Sequence, residues 1–314
     1  MFPRRPVCLL LAYLLDWAAG EPSPPVHPVV WLGQCLDLLE GLWPPRGRPA
    51  DLLRGSLSLG VAATLGWAAG SGLTRLVARM PGLAGIIAEA VALKPAFAGR
   101  MLWAEALAVA DLLARDDLAE ARVRVGSLVS RPTGGLAPAL VASAAVESVA
   151  ENLTDSIVAP LLAYLGWGLP GAYIYRVLNT ADARWGYRGR FEFFGKAAAR
   201  ADDLANLVPA RLAAAALILA GAIRGENAPR GLKVWSREGA RTESPNAGQT
   251  MAAMAGLLGV RLEKPGHYVL GGDFPYPTAA DIRRAVRLGQ AASWIVVAGL
   301  VGLGLIMGLR GRYG

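Results

Sequence analysis

The spacing of apolar and polar positions along this chain predicts helices almost throughout. No stretch sustains the every-second-residue alternation of a half-buried strand. Ala292–Leu309 is an uncharged run long enough to span a bilayer, closed by Arg310 and Arg312. Ser56–Leu73 is a second uncharged run, and Leu207–Ile223 a third, interrupted only by Arg211. Ile157–Tyr175 is a fourth, which Pro160 and the cluster Gly168-Leu169-Pro170-Gly171 are expected to break. Between these runs lie amphipathic pieces. A Pro-rich loop opens the region 21–55 and leads into a short helix at Val29–Glu40. Helices over 82–129 alternate apolar positions with Glu89, Glu105, Asp111, Asp116 and Asp117, and R-P-T-G-G-L-A-P at 131–138 is a break. A further amphipathic helix is expected at Thr250–Leu258. With no internal repeat and no low-complexity linker, the chain reads as one domain over 1–314. The expected fold is all-α and polytopic in the membrane, with amphipathic and broken helices around a polar site.

Composition supports the membrane reading. Of 314 residues 54% are hydrophobic and 18% charged, against about 25% charged in soluble domains. Val7–Leu15 is too short to span. It follows Arg4 and Arg5 as the core of a secretion signal would, but D-W-A-A-G-E-P-S-P-P offers no small-x-small cleavage pattern, so the segment is expected to be retained. The net charge is +8, from 32 Lys and Arg against 24 Asp and Glu. These cations are spread between apolar segments without a nucleic-acid motif, which favours lipid headgroups and phosphate ligands over nucleic acid. Basic residues flank Leu207–Ile223 on both sides, so charge counting does not orient it. Cys8 and Cys35 form neither a disulfide framework nor a metal motif.

Against this apolar background a few polar blocks stand out. Glu147, Glu151 and Asp155 are spaced four apart in V-E-S-V-A-E-N-L-T-D-S-I-V-A-P, so a helix stacks three carboxylates on one face beside Ser148 and Asn152. In a soluble helix that would be an ordinary solvated stripe. Apolar flanks on both sides favour a ligand instead, and Mg²⁺ suits carboxylate oxygens while leaving positions open for phosphate. A second block runs from Asn179 and Asp182 in Y-R-V-L-N-T-A-D to Arg200, Asp202, Asp203, Asn206 and Arg211. Acid, amide and guanidinium together can hold a metal–phosphate unit, or form a helix-surface ion network. Ser244 and Asn246, in S-P-N-A-G, either cap the following helix or help bind an anion at its N-terminus. His27 and His267 are the only histidines. G-R-F-E-F-F-G-K-A at 189–197 has the wrong spacing for a phosphate-binding loop, and Ala197 stands where Ser or Thr would hold Mg²⁺. Gly66 and Gly70 fit helix packing better than nucleotide binding, as do Gly302, Gly304 and Gly308.

Five motifs, in order, resemble the CobD/CbiB family of cobalamin biosynthesis: D-W-A-A-G-E-P-S-P-P-V-H-P-V-V-W-L-G, E-S-V-A-E-N-L-T-D-S-I-V-A-P, Y-R-V-L-N-T-A-D-A-R-W-G-Y, A-R-A-D-D-L-A-N-L-V-P-A-R-L and S-P-N-A-G. Departures include Glu21 where Asp is usual and Gln249-Thr250 in place of an aromatic-Pro pair. The resemblance implies a membrane-bound adenosylcobinamide-phosphate synthase, an ATP-dependent acid–amine ligase. Its substrates would be the corrinoid adenosylcobyric acid and (R)-1-aminopropan-2-ol O-phosphate or a close analogue, with ATP as co-substrate and Mg²⁺ as cofactor. On that reading Glu147, Glu151 and Asp155 hold Mg²⁺ and, with Asp182, form the catalytic set. His27, Asn152, Asn179, Arg200, Asp202, Asp203, Asn206, Arg211, Ser244 and Asn246 face substrate and phosphate. The expected location is the inner cell membrane, multi-pass and among lipid, with the site facing the cytoplasm where ATP is. Homo-oligomerisation stays open. Two alternatives remain: a non-catalytic AmpE-like sensor or regulator, and a transporter using the broken helix.

Overall fold

Helix–helix packing dominates the computed structural model, which describes residues 4–21, 25 and 27–310. Pro22, Ser23, Pro24 and Val26 of the Pro-rich motif lie outside the described residues, as does Arg312. The helices in chain order are α1 Arg4–Ala19, α2 Pro28–Leu42, α3 Asp51–Ala78, α4 Gly82–Leu93, α5 Gly99–Ala114, α6 Leu118–Val125, α7 Pro138–Leu153, α8 Ala159–Trp185, α9 Lys196–Ile223, α10 Ala228–Glu238, α11 Ala247–Leu258 and α12 Ala279–Arg310. The all-α membrane class stands. One antiparallel hairpin departs from it, β1 Leu262–Lys264 with β2 Tyr268–Leu270, in the register Leu262↔Leu270. Its turn follows from Pro265-Gly266: Pro presets φ, Gly266 takes φ 78°, and the His267 amide donates to the Lys264 carbonyl at 3.0 Å. Strands of three residues are too short to register as an alternating pattern.

Among the described residues three segments are long and apolar enough to cross a membrane: Pro138–Trp185, Lys196–Ile223 and Ala279–Gly308. A fourth exists only if Gly82–Ala96 and Gly99–Ala114 count as one broken span. Ser56–Leu73 lies within the 28-residue α3 but is not one of these spans. Its glycines and serines dilute its hydropathy, and two of the glycines serve packing. A Cβ at Gly66 would lie 2.8 Å from Val177 Cγ2, and one at Gly70 2.6 Å from Pro170 Cα, so α3 meets the backbone of α8 at these glycines. At the C-terminal helix the packing expectation holds for Gly304, whose Cβ would lie 2.5 Å from Pro6, and not for Gly302, which has open space.

The chain divides into two units, each assembled from separated stretches: 1–98, 159–206 and 297–314 in the first, 99–158 and 207–296 in the second. Because both are discontinuous, no linker in the sequence could mark them. In the first unit, Leu36, Leu39, Leu59, Val177, Trp185, Phe191 and Phe194 form a buried core, with Trp185 edge-on to Phe194 at 5.0 Å. The near-miss loop at 189–197 is thus part of a packed core. In the second unit, α11 packs on α7 and α10 and is buried from Gly248 to Leu258. That all-round burial corrects the amphipathic expectation for this helix.

The long apolar helix breaks at two places. A π-helical turn covers Thr154–Val158, immediately before Pro160. Proline has no N–H and its ring crowds the carbonyl four residues back, here Ser156, so the wider turn relieves the clash. Further on, Gly168 leaves helical geometry at φ 71°, ψ −158°. The Gly166 carbonyl then has no α-helical donor, because position 170 is proline. Arg5 supplies one: its Nη1 donates to the carbonyls of Leu165 at 3.2 Å and Gly166 at 3.0 Å. Arg4 pairs with Glu89 at 2.7 Å and donates to the Gly85 carbonyl. Both N-terminal arginines are therefore built into the first unit.

Candidate functional site

In the second unit α7 carries Glu147, only 3% exposed, into a group of donors. Arg131, from the loop between α6 and α7, forks onto it, with Nη1 3.2 Å from Oε2 and Nη2 3.4 Å from Oε1. Ser143, one turn back, donates to Oε1 at 2.6 Å, and the Tyr268 hydroxyl on β2 donates to Oε2 at 2.8 Å. Ser143 Oγ also accepts the Glu263 amide at 2.8 Å, which locks the hairpin against α7. Burial, reinforced by the negative charges of Glu147 and Glu151, pushes the Tyr268 hydroxyl far above the ordinary phenol range. Tyr268 is therefore a proton donor that stays protonated.

Both oxygens of Glu147 are thus engaged. Among the described residues no three His, Cys, Asp or Glu side chains are gathered to hold a metal ion. The expected three-carboxylate Mg²⁺ cage at Glu147, Glu151 and Asp155 is not formed. Two physical reasons account for this. Arg131 neutralises Glu147, and a π turn begins at Thr154, inside the predicted stack. Glu151, half-buried one turn beyond Glu147, lies close enough to Tyr268 to raise its pKa. Asn152 is engaged along the helix: its amide donates to the Ser148 carbonyl and hydroxyl at 3.1 Å each, and its oxygen accepts from Ser156.

The S-P-N-A-G turn opens α11. Asn246 occupies the N-cap position without capping through its side chain. Its Oδ1 accepts from Arg211 Nη1 at 3.3 Å, and its amide donates to Ser244 Oγ at 3.3 Å. The predicted trio of Arg211, Ser244 and Asn246 is therefore brought together at a helix N-terminus, where backbone dipoles favour an anion. On the next turn of α11, Met251 Sδ touches the Tyr268 hydroxyl at 3.6 Å, which joins this turn to the Glu147 cluster through one side chain.

In the first unit Asp202, 8% exposed, is the centre of a hydrogen-bonded chain. Asn206 donates to it at 3.0 Å and Asn179 at 3.4 Å. Tyr175 donates to Asn206 at 3.0 Å, and Arg176 to Asn179 at 3.3 Å. Three predicted residues are thus assembled, with Tyr175 and Arg176 added. Asp203 turns to Arg200, 77% exposed, at 4.0 Å. Arg200 and Arg211, both expected beside this cluster, stand at different heights on α9. Eleven residues separate them by roughly 16 Å along the axis, and they fall in different units. Asp182 is half-buried at the end of α8, where its Oδ1 would lie 2.2 Å from a Cβ at Gly186.

His27 caps a helix. Its Nδ1 accepts the Val29 amide at 3.1 Å as the N-cap of α2, and its Nε2 meets Glu21 at 2.8 Å. Lys94, 7% exposed, pairs with Glu21 at 2.7 Å and with Asp16 at 3.0 Å. The polar residues of the D-W-A-A-G-E motif thus meet in a buried ion network with Lys94.

The match to known sequences covers every one of these clusters: residues 9–289 fit the sequence profile described as CobD/Cbib protein. The chain belongs to the CobD/CbiB family. A relative named cobalamin biosynthesis protein CobD, from Stutzerimonas stutzeri, is 44% identical over 285 residues, 89% of this chain and 86% of its own length. Those of the same name from Chromobacterium violaceum and Dehalococcoides mccartyi are 40% and 39% identical, over 96% and 84% of this chain and 97% and 86% of theirs. No solved structure matches the chain. Arg131 and Tyr268 enter the site of this CobD/CbiB protein from the structure alone. A signal for Arg131 existed, since it is the one charged residue between Arg124 and Glu147. None existed for Tyr268, 121 residues from its carboxylate.

Proposed function

We propose that this protein is a membrane-bound ligase of cobalamin biosynthesis. It would join the propionate of adenosylcobyric acid to the amine of (R)-1-aminopropan-2-ol O-phosphate, or a close analogue, with ATP. The observation that carries the reading is the family match over residues 9–289, which includes all the polar blocks. Relatives matched over most of their length are named for cobalamin biosynthesis.

A carboxylate is a poor electrophile. One of its oxygens would attack the γ-phosphorus of ATP and expel ADP, giving an acyl phosphate. The amine nitrogen would then attack the acyl carbon, phosphate would leave with the C–O electrons, and a carboxylate would take the ammonium proton. Arg211 with Asn246, at the N-terminus of α11, suits a phosphate group. Arg131, held by Glu147, places a second guanidinium in the same unit. Mg²⁺ commonly uses one or two carboxylates and keeps its phosphate oxygens and waters. It would arrive on the nucleotide, with Glu151 and Asp155 as protein carboxylates and Glu147 excluded by its ion pair. The metal would supply charge neutralisation on the phosphates. The site would face the cytoplasm from the inner membrane.

A transporter would use the carbonyls freed at the broken helix. Here those at Leu165 and Gly166 are taken by Arg5, which counts against that alternative. The test is reconstitution: purified protein in nanodiscs, adenosylcobyric acid, aminopropanol phosphate and MgATP, with amide product and ADP followed together. Product formed in step with ADP supports the ligase. Substrate movement across sealed vesicles without amide formation would replace it.

A further inference from the structure

A cavity of about 550 Å³ lies in the first unit, between α2, α3, the segment at 92–96 and α8. Its walls are apolar side chains such as Trp31, Leu32, Leu65 and Leu73, together with the ring of Tyr173, whose hydroxyl donates to the Ala92 carbonyl at 2.9 Å. Arg176 is the single charged residue among those lining it. Of the lining residues Trp31 and Leu65 are each 53% exposed. Such an apolar surface would be a liability in water, and in a membrane protein it meets acyl chains.

Its size and charge restrict the occupant. A methylene fills nearly the volume of one water molecule, roughly 30 Å³, so 550 Å³ accommodates on the order of eighteen carbons. That is one long acyl chain. The guanidinium of Arg176, which donates to Asn179 at 3.3 Å, offers a planar fork suited to phosphate. A neutral or zwitterionic headgroup gains less from that charge. We infer that this cavity is a binding site for one acyl chain of an anionic phospholipid whose phosphate sits on Arg176. Through Asn179 the headgroup would be two hydrogen bonds from Asp202, which couples lipid occupancy to the polar network of the same unit. The lipid site adjoins Asn179 and Asp202, which the ligase reading places near phosphate, and its test reads lipid retention rather than turnover.

The test is native mass spectrometry of the full chain released from detergent, titrated with phosphatidylglycerol and with phosphatidylcholine of identical chains. Free oleate and glycerol phosphate serve as separate probes of tail and headgroup. Wild type should retain one phosphatidylglycerol about tenfold more tightly than phosphatidylcholine, and each fragment more weakly than the whole lipid. Arg176→Gln should remove the preference between headgroups. Ala69→Phe, at an exposed lining position, should block the cavity and lower retention of the bound lipid by a similar factor. Ala68→Phe, exposed on the same helix and outside the lining, should change nothing. Should Arg176→Gln fail to fold, the Ala69/Ala68 comparison decides alone. Equal retention of both lipids by wild type, or equal effects at positions 68 and 69, would mean ordinary annular lipid and overturn the site.

Discussion

Glu147→Gln separates a buried ion pair from a metal-binding carboxylate stack by the sign of its effect on stability. In the structure the Glu147 side chain is 4% exposed and that of Arg131 13%, so solvent screens their attraction little. Removing one partner leaves the guanidinium buried beside a neutral amide, and breaking such a pair costs about 3–5 kcal/mol. The glutamine NH₂ would also face a donor from Ser143, Arg131 or Tyr268, whichever way the amide is turned. An uncompensated acidic stack predicts the opposite. Removing one charge would relieve repulsion from Glu151 and stabilise by a few tenths of a kcal/mol. The assay is denaturant unfolding in mild detergent micelles, on wild type, Glu147→Gln, Glu147→Met, Arg131→Met and a double variant with methionine at both positions. Glu147→Gln should lose at least about 3 kcal/mol, and the double variant should recover about 2 kcal/mol relative to the sum of the methionine singles. Single effects that add to within about 0.5 kcal/mol, or a stabilised Glu147→Gln, would refute the ion pair.

Three further outcomes are expected. Glu151→Gln should abolish ligation while unfolding at the wild-type midpoint, since its neighbourhood holds the working acid; turnover near wild type would remove Glu151 from the mechanism. His27→Ala should cost about 1–2 kcal/mol through the lost N-cap and leave the KM for the phosphorylated amine unchanged; a raised KM in stable protein would return His27 to the substrate. Arg5→Ala should cost about 1.5–3 kcal/mol, the worth of charge-assisted hydrogen bonds, and speed hydrogen exchange near Gly168; unchanged exchange there would show that the kink needs no cap.

The parts of the fold legible in the sequence were those set by local composition. Uncharged runs located 207–223 and 292–309, and Gly168 with Pro170 located the kink. Small residues misled once: Ser56–Leu73 looked like a span, yet Gly66 and Gly70 serve close contact with α8. Helical spacing brought Asp202 to Asn206 correctly, because both lie in one regular helix. The same arithmetic took the helix as regular through Asp155, whereas a π turn ahead of Pro160 begins at Thr154. Contacts made over long sequence distance, such as Tyr268 on Glu147 and Arg5 on Gly166, have no local signature. The hairpin escaped notice for a related reason, since a Pro-Gly turn between two three-residue strands looks like a loop.

The central claim is ATP-driven amide formation, and an isotope experiment tests it most directly. Adenosylcobyric acid labelled with ¹⁸O in its free carboxylate would be incubated with purified protein, MgATP and aminopropanol phosphate. The account predicts one ADP per amide formed and one ¹⁸O atom carried from the carboxylate into inorganic phosphate. Amide formed without ADP, or phosphate free of label while the amide accumulates, would contradict it.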